Sequence, residues 1–278
     1  MCLLNTLTLK LESFVGQPPK YAILSHTWAD EEVLLQDMQD LAKASKKEGY
    51  SKLHSCCQLA AEDGFRYVWI DTCCIDKTSS AELSEAINSM FAYYRSSAVC
   101  YVYLEKIFPG IPPGSLTAQN LENTRWISRG WTLQELIAPA DVRFYDRNWN
   151  YCGTKQDLSA ALSRVTNINE DVLSMSEPHE HICVAERMSW VSTRQTTRPE
   201  DIAYCWFGIF DVQLPVLYGR GRGEGVSETT GRDHQIHYRS VCSGVEGTWA
   251  IVEQARRVSK FPSNVRPPSH HHLSPSSY

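Results

Sequence analysis

"RYVWIDTCCIDKTSSAELSEAINSMFAYYRSSAVCYVYL", residues 66–104, carries three patterns in succession. "RYVWID" (66–71) is a short apolar run ending on Asp71, the reading of a buried strand. "SSAELSEAINSMFAYYRS" (79–96) places Leu83, Ile87, Met90, Phe91 and Tyr94 on one stripe of a helix, with Ser80 available to cap it. "AVCYVYL" (98–104) is a continuous β-branched and aromatic run, the composition of a central parallel strand covered on both faces. Strand, helix and strand in that order make a βαβ unit.

The same alternation extends in both directions. Upstream, "KYAILSHTW" (20–28) reads as a strand running into a polar, aromatic loop. A helix over 30–47 capped by Asp30 follows, then a second over 51–64 stopped at Gly64. Leu7, Leu9 and Leu11 alternate, which predicts a short strand near the N-terminus. Downstream, a Pro/Gly loop (108–115) leads to "RWISRGWTLQELIAP" (125–139), a helix with Trp131, Leu133, Leu136 and Ile137 apolar and Pro139 to end it. "DVRFYD" (141–146) is another strand, and 155–210 turns helical, with "EDIAYCWFGIFDV" (200–212) as an apolar helix. The expectation is an α/β domain over 1–218, with a mostly parallel, flavodoxin-like sheet flanked by helices and additional C-terminal helices. Residues 219–278 are rich in Gly and charge and read as a disordered tail. His270, His271 and His272 there read as a solvated run rather than a metal site.

Composition narrows the function. With 42% apolar and 21% charged residues among 278, a packed core is expected, as one large domain or one domain with an appendage. A net charge of −5 and a pI near 6.0 argue against binding a nucleic-acid backbone. No apolar run is long enough to cross a membrane. The N-terminal segment lacks a basic start, and Lys10 and Glu12 interrupt it, so no signal peptide is read there. The ten cysteines include adjacent pairs at Cys56-Cys57 and Cys73-Cys74, but form no C-x-x-C pair and have no companion His cluster. They read as buried thiols in a reducing, cytoplasmic compartment, with no metal site.

In sheets of this kind ligands bind beyond the carboxyl ends of the strands. That singles out the loops "SHTW" (25–28) and "DTCCIDK" (71–77) and the approach to Trp131. Glu135 lies four residues after Trp131, on the same helix face. It is either a carboxylate held beside an indole for chemistry or the wet edge of an amphipathic helix. Trp131 is either a stacking platform or core, and His26 either a general base or a hydrogen-bonded loop residue. Asp71 binds a ligand or caps the following turn. Arg129 contacts an anion or, like Arg95, pairs with acidic neighbours at the surface. Cys73 and Cys74 have no partner base and are read as structural. No G-x-G-x-x-G or P-loop is present.

Four blocks carry a resemblance: "YAILSHTWADEEVLLQDM", the stretch from "YVWIDTCCIDK" to "CYVYL", "RGWTLQELIAP", and "RMSWVSTRQTTRPEDIAYCWFGIFDVQLPVLYG". Together, in this order over roughly 1–219, they resemble the fungal heterokaryon incompatibility (HET) domain. The resemblance implies a role in non-self recognition that ends in programmed cell death. Family members usually continue past "LYG" with an acidic, helical segment, so the Gly-rich continuation here implies an altered C-terminus. A more distant similarity links "SRGWTLQEL" (128–136) to the S-x-x-W-x-x-x-E-L stretch of Toll/interleukin-receptor (TIR) domains, several of which cleave NAD with a helix glutamate. That similarity implies a TIR-like fold and an NAD glycohydrolase with Glu135 catalytic. Trp131 and Trp28 would hold a flat ring, and Ser25, His26 and Thr27 would bond ribose or phosphate. Asp71 and Asp76 would bind ribose hydroxyls, and Arg129 would face the pyrophosphate. NAD is then substrate rather than cofactor, and the partners implied are a second copy on activation and an unidentified activating protein. The alternatives are a non-enzymatic module acting by homotypic assembly and, third, a thiol or metal enzyme.

Overall fold

The computed structural model describes residues 1–192, 194–198, 201–213 and 216. Among them, seven strands make one sheet: β1 (Cys2–Asn5), β2 (Leu11–Ser13), β3 (Ala22–Ser25), β4 (Tyr67–Trp69), β5 (Val99–Tyr103), β6 (Val142–Tyr145) and β7 (Tyr151–Thr154). Their spatial order is β2-β1-β4-β3-β5-β6-β7. The middle four are parallel, with Ile23 registered on both Trp69 and Cys100, and Val102 on Phe144. The chain lays down β3, adds β4 on one side, then crosses over to add β5 and β6 on the other. This is the flavodoxin-like order, whose switch point lies between the first and third strands, here β3 and β5. The mostly parallel α/β sheet expected from the alternation is present, with antiparallel strands β1, β2 and β7 added at its edges.

The helix Gly49–Glu62 and the helix Ser80–Ser96 supply the crossovers. Ser79 rather than Ser80 caps the second, its side chain accepting from the Glu82 N–H. Strand β5 shows why its sequence is apolar throughout: Val99, Cys100, Tyr101 and Val102 are all fully buried. Cys100 faces the helix carrying Glu135, while Tyr101 donates from the opposite face to Asp63, just past the helix Gly49–Glu62.

Four predicted elements come out differently. The N-terminal strand precedes the leucine alternation: Leu7 is exposed and Leu9 has φ of 53°, because residues 6–10 form the turn between β1 and β2. The Asn5 side chain organises that turn by accepting from the Leu7 and Thr8 N–H groups. The helix expected over 30–47 is a 3-10 turn, Leu35–Gln39, and a one-turn helix, Leu41–Ala44. Glu32 turns inward to accept from Ala29 N and Lys52, which keeps the chain irregular there, and Asp40 rather than Asp30 provides the helix cap. The helix expected over 125–139 breaks into Arg125–Ser128 and Thr132–Ile137 at an extended Arg129. The apolar run 200–212 holds only the short helix Asp201–Tyr204 and a turn at Phe207–Ile209. Its Tyr204 and Phe207 nevertheless join Ile87 in the core, as expected.

The tail expected over 219–278, with His270–His272, lies outside the described residues. Among the described residues no helix is long and apolar enough to cross a membrane.

Candidate active site

Glu135 sits at the carboxyl end of β3. Ser25, the last residue of that strand, donates from Oγ to Glu135 Oε2 at 2.5 Å and accepts from Trp126 Nε1 at 2.7 Å. Tyr94 borders the same carboxyl and donates its hydroxyl to the Leu24 carbonyl. The Glu135 helix has six residues, too few to persist by itself in water. Buried groups hold both of its ends. The Thr132 hydroxyl donates to the Trp126 carbonyl at 2.6 Å, and Arg194 Nη1 donates to the Thr132 hydroxyl at 2.9 Å and the Arg129 carbonyl at 2.8 Å. At the other end the Lys155 ammonium donates to the Leu136 and Pro139 carbonyls, at 3.2 Å and 2.8 Å.

Glu135 is only 6% exposed. Burial pushes its carboxyl up to about 8, and the nearby Asp71 charge adds to the rise. The Ser25 and Tyr94 hydroxyls and the Arg129 charge oppose it without prevailing. The folded protein therefore holds Glu135 as a neutral acid at neutral pH.

A second cluster lies beside the first. His26 Nε2 is 3.0 Å from Asp71 Oδ1, Trp28 Nε1 donates to Asp71 Oδ2 at 2.9 Å, and the Lys77 ammonium sits 4.3 Å from the Trp28 ring centre. The other imidazole nitrogen of His26 is 3.8 Å from Glu32, which pairs with the buried Lys52. Burial resists ionisation of Asp71, but His26, Lys77 and Trp28 together hold its carboxyl well below the usual carboxylate range. The two clusters put an uncharged carboxyl and an ionised one side by side.

Of the residues singled out in the sequence, Ser25 meets Glu135, and His26 and Trp28 meet Asp71. Thr27 is buried and contributes its carbonyl to Lys52. Trp131 goes elsewhere: it packs on the core cluster of Ile87, Tyr204 and Phe207, and its indole N–H donates to Asp201. Asp76 accepts from the Thr78 hydroxyl beside it and from Gln36 of the 3-10 turn Leu35–Gln39. Arg129 lines an open polar depression with Arg125, Ser128, Gln195, Thr196 and Thr197. Trp126, Tyr94, Glu32, Lys52, Lys77, Lys155 and Arg194 were not singled out. Trp126 lies within the Glu135 segment, where the break at Arg129 turns it back onto Ser25. The buried Lys52, Lys155 and Arg194 left no signal, since Lys and Arg ordinarily mark the surface.

The described cysteines are free, and Cys56, Cys57, Cys73, Cys74, Cys100, Cys152 and Cys205 are buried. Burial pushes the Cys57 thiol up to about 12 and those of Cys56, Cys74 and Cys100 well up, which makes poor nucleophiles.

Residues 21–107, from just before β3 to just beyond β5, match the family model described as heterokaryon incompatibility protein (HET). No solved structure matches the chain. The vegetative incompatibility protein HET-E-1 of Podospora anserina is 45% identical over 229 residues, which cover 78% of this chain but 16% of that relative. Identity at that level over most of its length makes this chain a member of the heterokaryon incompatibility (HET) family.

Proposed function

We propose that the chain is a cytoplasmic effector of fungal vegetative incompatibility, triggering cell death by hydrolysing NAD at the nicotinamide–ribose bond. The observation that carries this reading is the Ser25–Glu135 contact at the switch point of the parallel sheet. In the reaction the bond from ribose C1′ to the pyridinium nitrogen breaks, and its electron pair leaves with neutral nicotinamide. Water adds to C1′ and loses a proton, giving ADP-ribose. The cationic ribosyl transition state calls for an ionised carboxylate beside the ribose. Glu135 fills that role once deprotonated, Ser25 holds it in place, and Asp71 adds negative charge nearby. Trp28, 36% exposed, is the aromatic surface at the mouth. Because Glu135 is enclosed, substrate entry requires the segment after β3 to move outward, a change that self-association on activation supplies.

The test is nicotinamide release from NAD by the purified full chain, at concentrations high enough for self-association. Wild type releases nicotinamide, and Glu135→Ala lowers the rate by about a hundredfold or more. Below pH 8 the rate climbs with pH, by up to about tenfold per unit, as Glu135 ionises. Equal rates in the two proteins reject the assignment. The enclosure of Glu135 favours a second reading, in which the carboxyl is a satisfied core group and the domain signals by homotypic assembly alone. In that case Glu135→Ala still kills cells on overexpression, and changes that block assembly do not.

A further inference from the structure

The open depression beyond the Glu135 helix encloses about 320 Å³, near the lower end of the range for small-molecule sites. It is lined by the polar residues Arg125, Ser128, Arg129, Gln195, Thr196 and Thr197, with no carboxylate among them. The Ser128 and Thr196 hydroxyls already donate to the Arg125 and Arg198 carbonyls. The other donor-bearing side chains of the lining are the two arginines, Gln195 and Thr197. Arg125 has an acidic neighbour in Glu105, but at 3.6 Å and largely exposed to water, so the pairing is weak.

The two walls are pinned together. Gln195 N donates to the Ser128 carbonyl at 2.7 Å, and Gly130 N to the Gln195 carbonyl at 2.8 Å, forming a parallel bridge between otherwise separate segments. A Cβ on Gly130 would lie 2.7 Å from Thr196 Cγ2, so glycine lets the two segments approach without displacing that side chain. Behind the bridge, the buried Arg194 ties the Arg129 carbonyl to the Thr132 hydroxyl. A recess lined by donors and cations, with no carboxylate among its lining residues, suits a polyvalent oxyanion, because arginine forks bind phosphate oxygens in pairs.

We infer that this depression is a diphosphate-binding site, with Arg125 and Arg129 gripping the phosphoryl oxygens and Gln195 and Thr197 completing the cradle. The inference rests on the glycohydrolase reading only for its choice of a dinucleotide as the natural source. Arg129 links the two sites, since its charge also acts on Glu135.

The experiment is calorimetric titration of the purified full chain with inorganic pyrophosphate, ADP and adenosine at low salt. Pyrophosphate and ADP bind saturably and adenosine does not. The double variant Arg125→Gln/Arg129→Gln weakens both by about tenfold or more, while Lys10→Gln, on the turn between β1 and β2, stays within about twofold of wild type. Tighter binding of ADP than of pyrophosphate identifies a nucleotide as the source, and equal binding identifies the oxyanion alone. Circular dichroism of the double variant checks that it is folded. The inference is overturned if pyrophosphate does not saturate, if the folded double variant binds like wild type, or if adenosine binds and pyrophosphate does not. It is also overturned if the arginine changes alter self-association but not pyrophosphate affinity, which would make the recess a contact between chains. The titration uses no NAD turnover. A chain that binds pyrophosphate but releases no nicotinamide keeps this site and loses the glycohydrolase.

Discussion

At Glu135, burial and hydrogen bonding pull in opposite directions, and burial wins. The consequence for stability has a definite sign. An unfolded chain ionises this carboxyl in the ordinary range, whereas the folded chain keeps its proton to about pH 8. Between those values the unfolded state binds fewer protons, so this group makes stability fall as pH rises. Glutamine mimics the neutral acid and cannot ionise. Glu135→Gln should match wild type near pH 5 and then gain on it by about 1.4 kcal/mol per pH unit up to pH 8. Urea denaturation of both proteins across that range measures the difference, and parallel curves would show that Glu135 is already ionised in the fold. The sequence placed Glu135 near the loop after β3. Its protonation was not legible, because that depends on Ser25 and Tyr94 closing over it from two other segments.

Among the elements, the short helices depend on contacts rather than on propensity. Thr132–Ile137 is held by Arg194 and Lys155, and the turn Phe207–Ile209 by the helix Ser80–Ser96. At that second contact Gly208 has no space: an added Cβ would lie 1.9 Å from Phe91 Cβ, next to the helix backbone, which cannot swing aside. Gly208→Ala should therefore cost about 3 kcal/mol through overpacking, seen as a lower midpoint in thermal unfolding. An unchanged midpoint would mean that the turn does not dock there. The helix Ser80–Ser96 was legible because seventeen residues repeat one apolar stripe. The broken segments at 30–47, 125–139 and 200–212 were not. Their apolar spacing suits a helix, but Glu32, Gly130 and Gly208 each answer to a partner distant in sequence.

Across the whole molecule, the buried thiols set a limit on alkaline stability. Cys56, Cys57, Cys74 and Cys100 keep their protons in the fold far above the range in which an unfolded thiol ionises. Above about pH 8.5 each should lower stability by about 1.4 kcal/mol per pH unit. A denaturation series from pH 7 to pH 10 under reducing conditions should show a steep loss, and a flat series would contradict their burial. That Cys100 belongs to the interior was readable from its apolar neighbours in "SAVCYVYL". So were the α/β class and the central run of β5, since a strand covered on both faces must be apolar at every position. The edge strand β7, the pairing of Ser25 with Glu135, the withdrawal of Trp131 into the core and the recess between Arg129 and Gln195 needed coordinates. Each is a meeting of segments far apart in the chain, and local periodicity reports which side of an element is dry without reporting what it will touch.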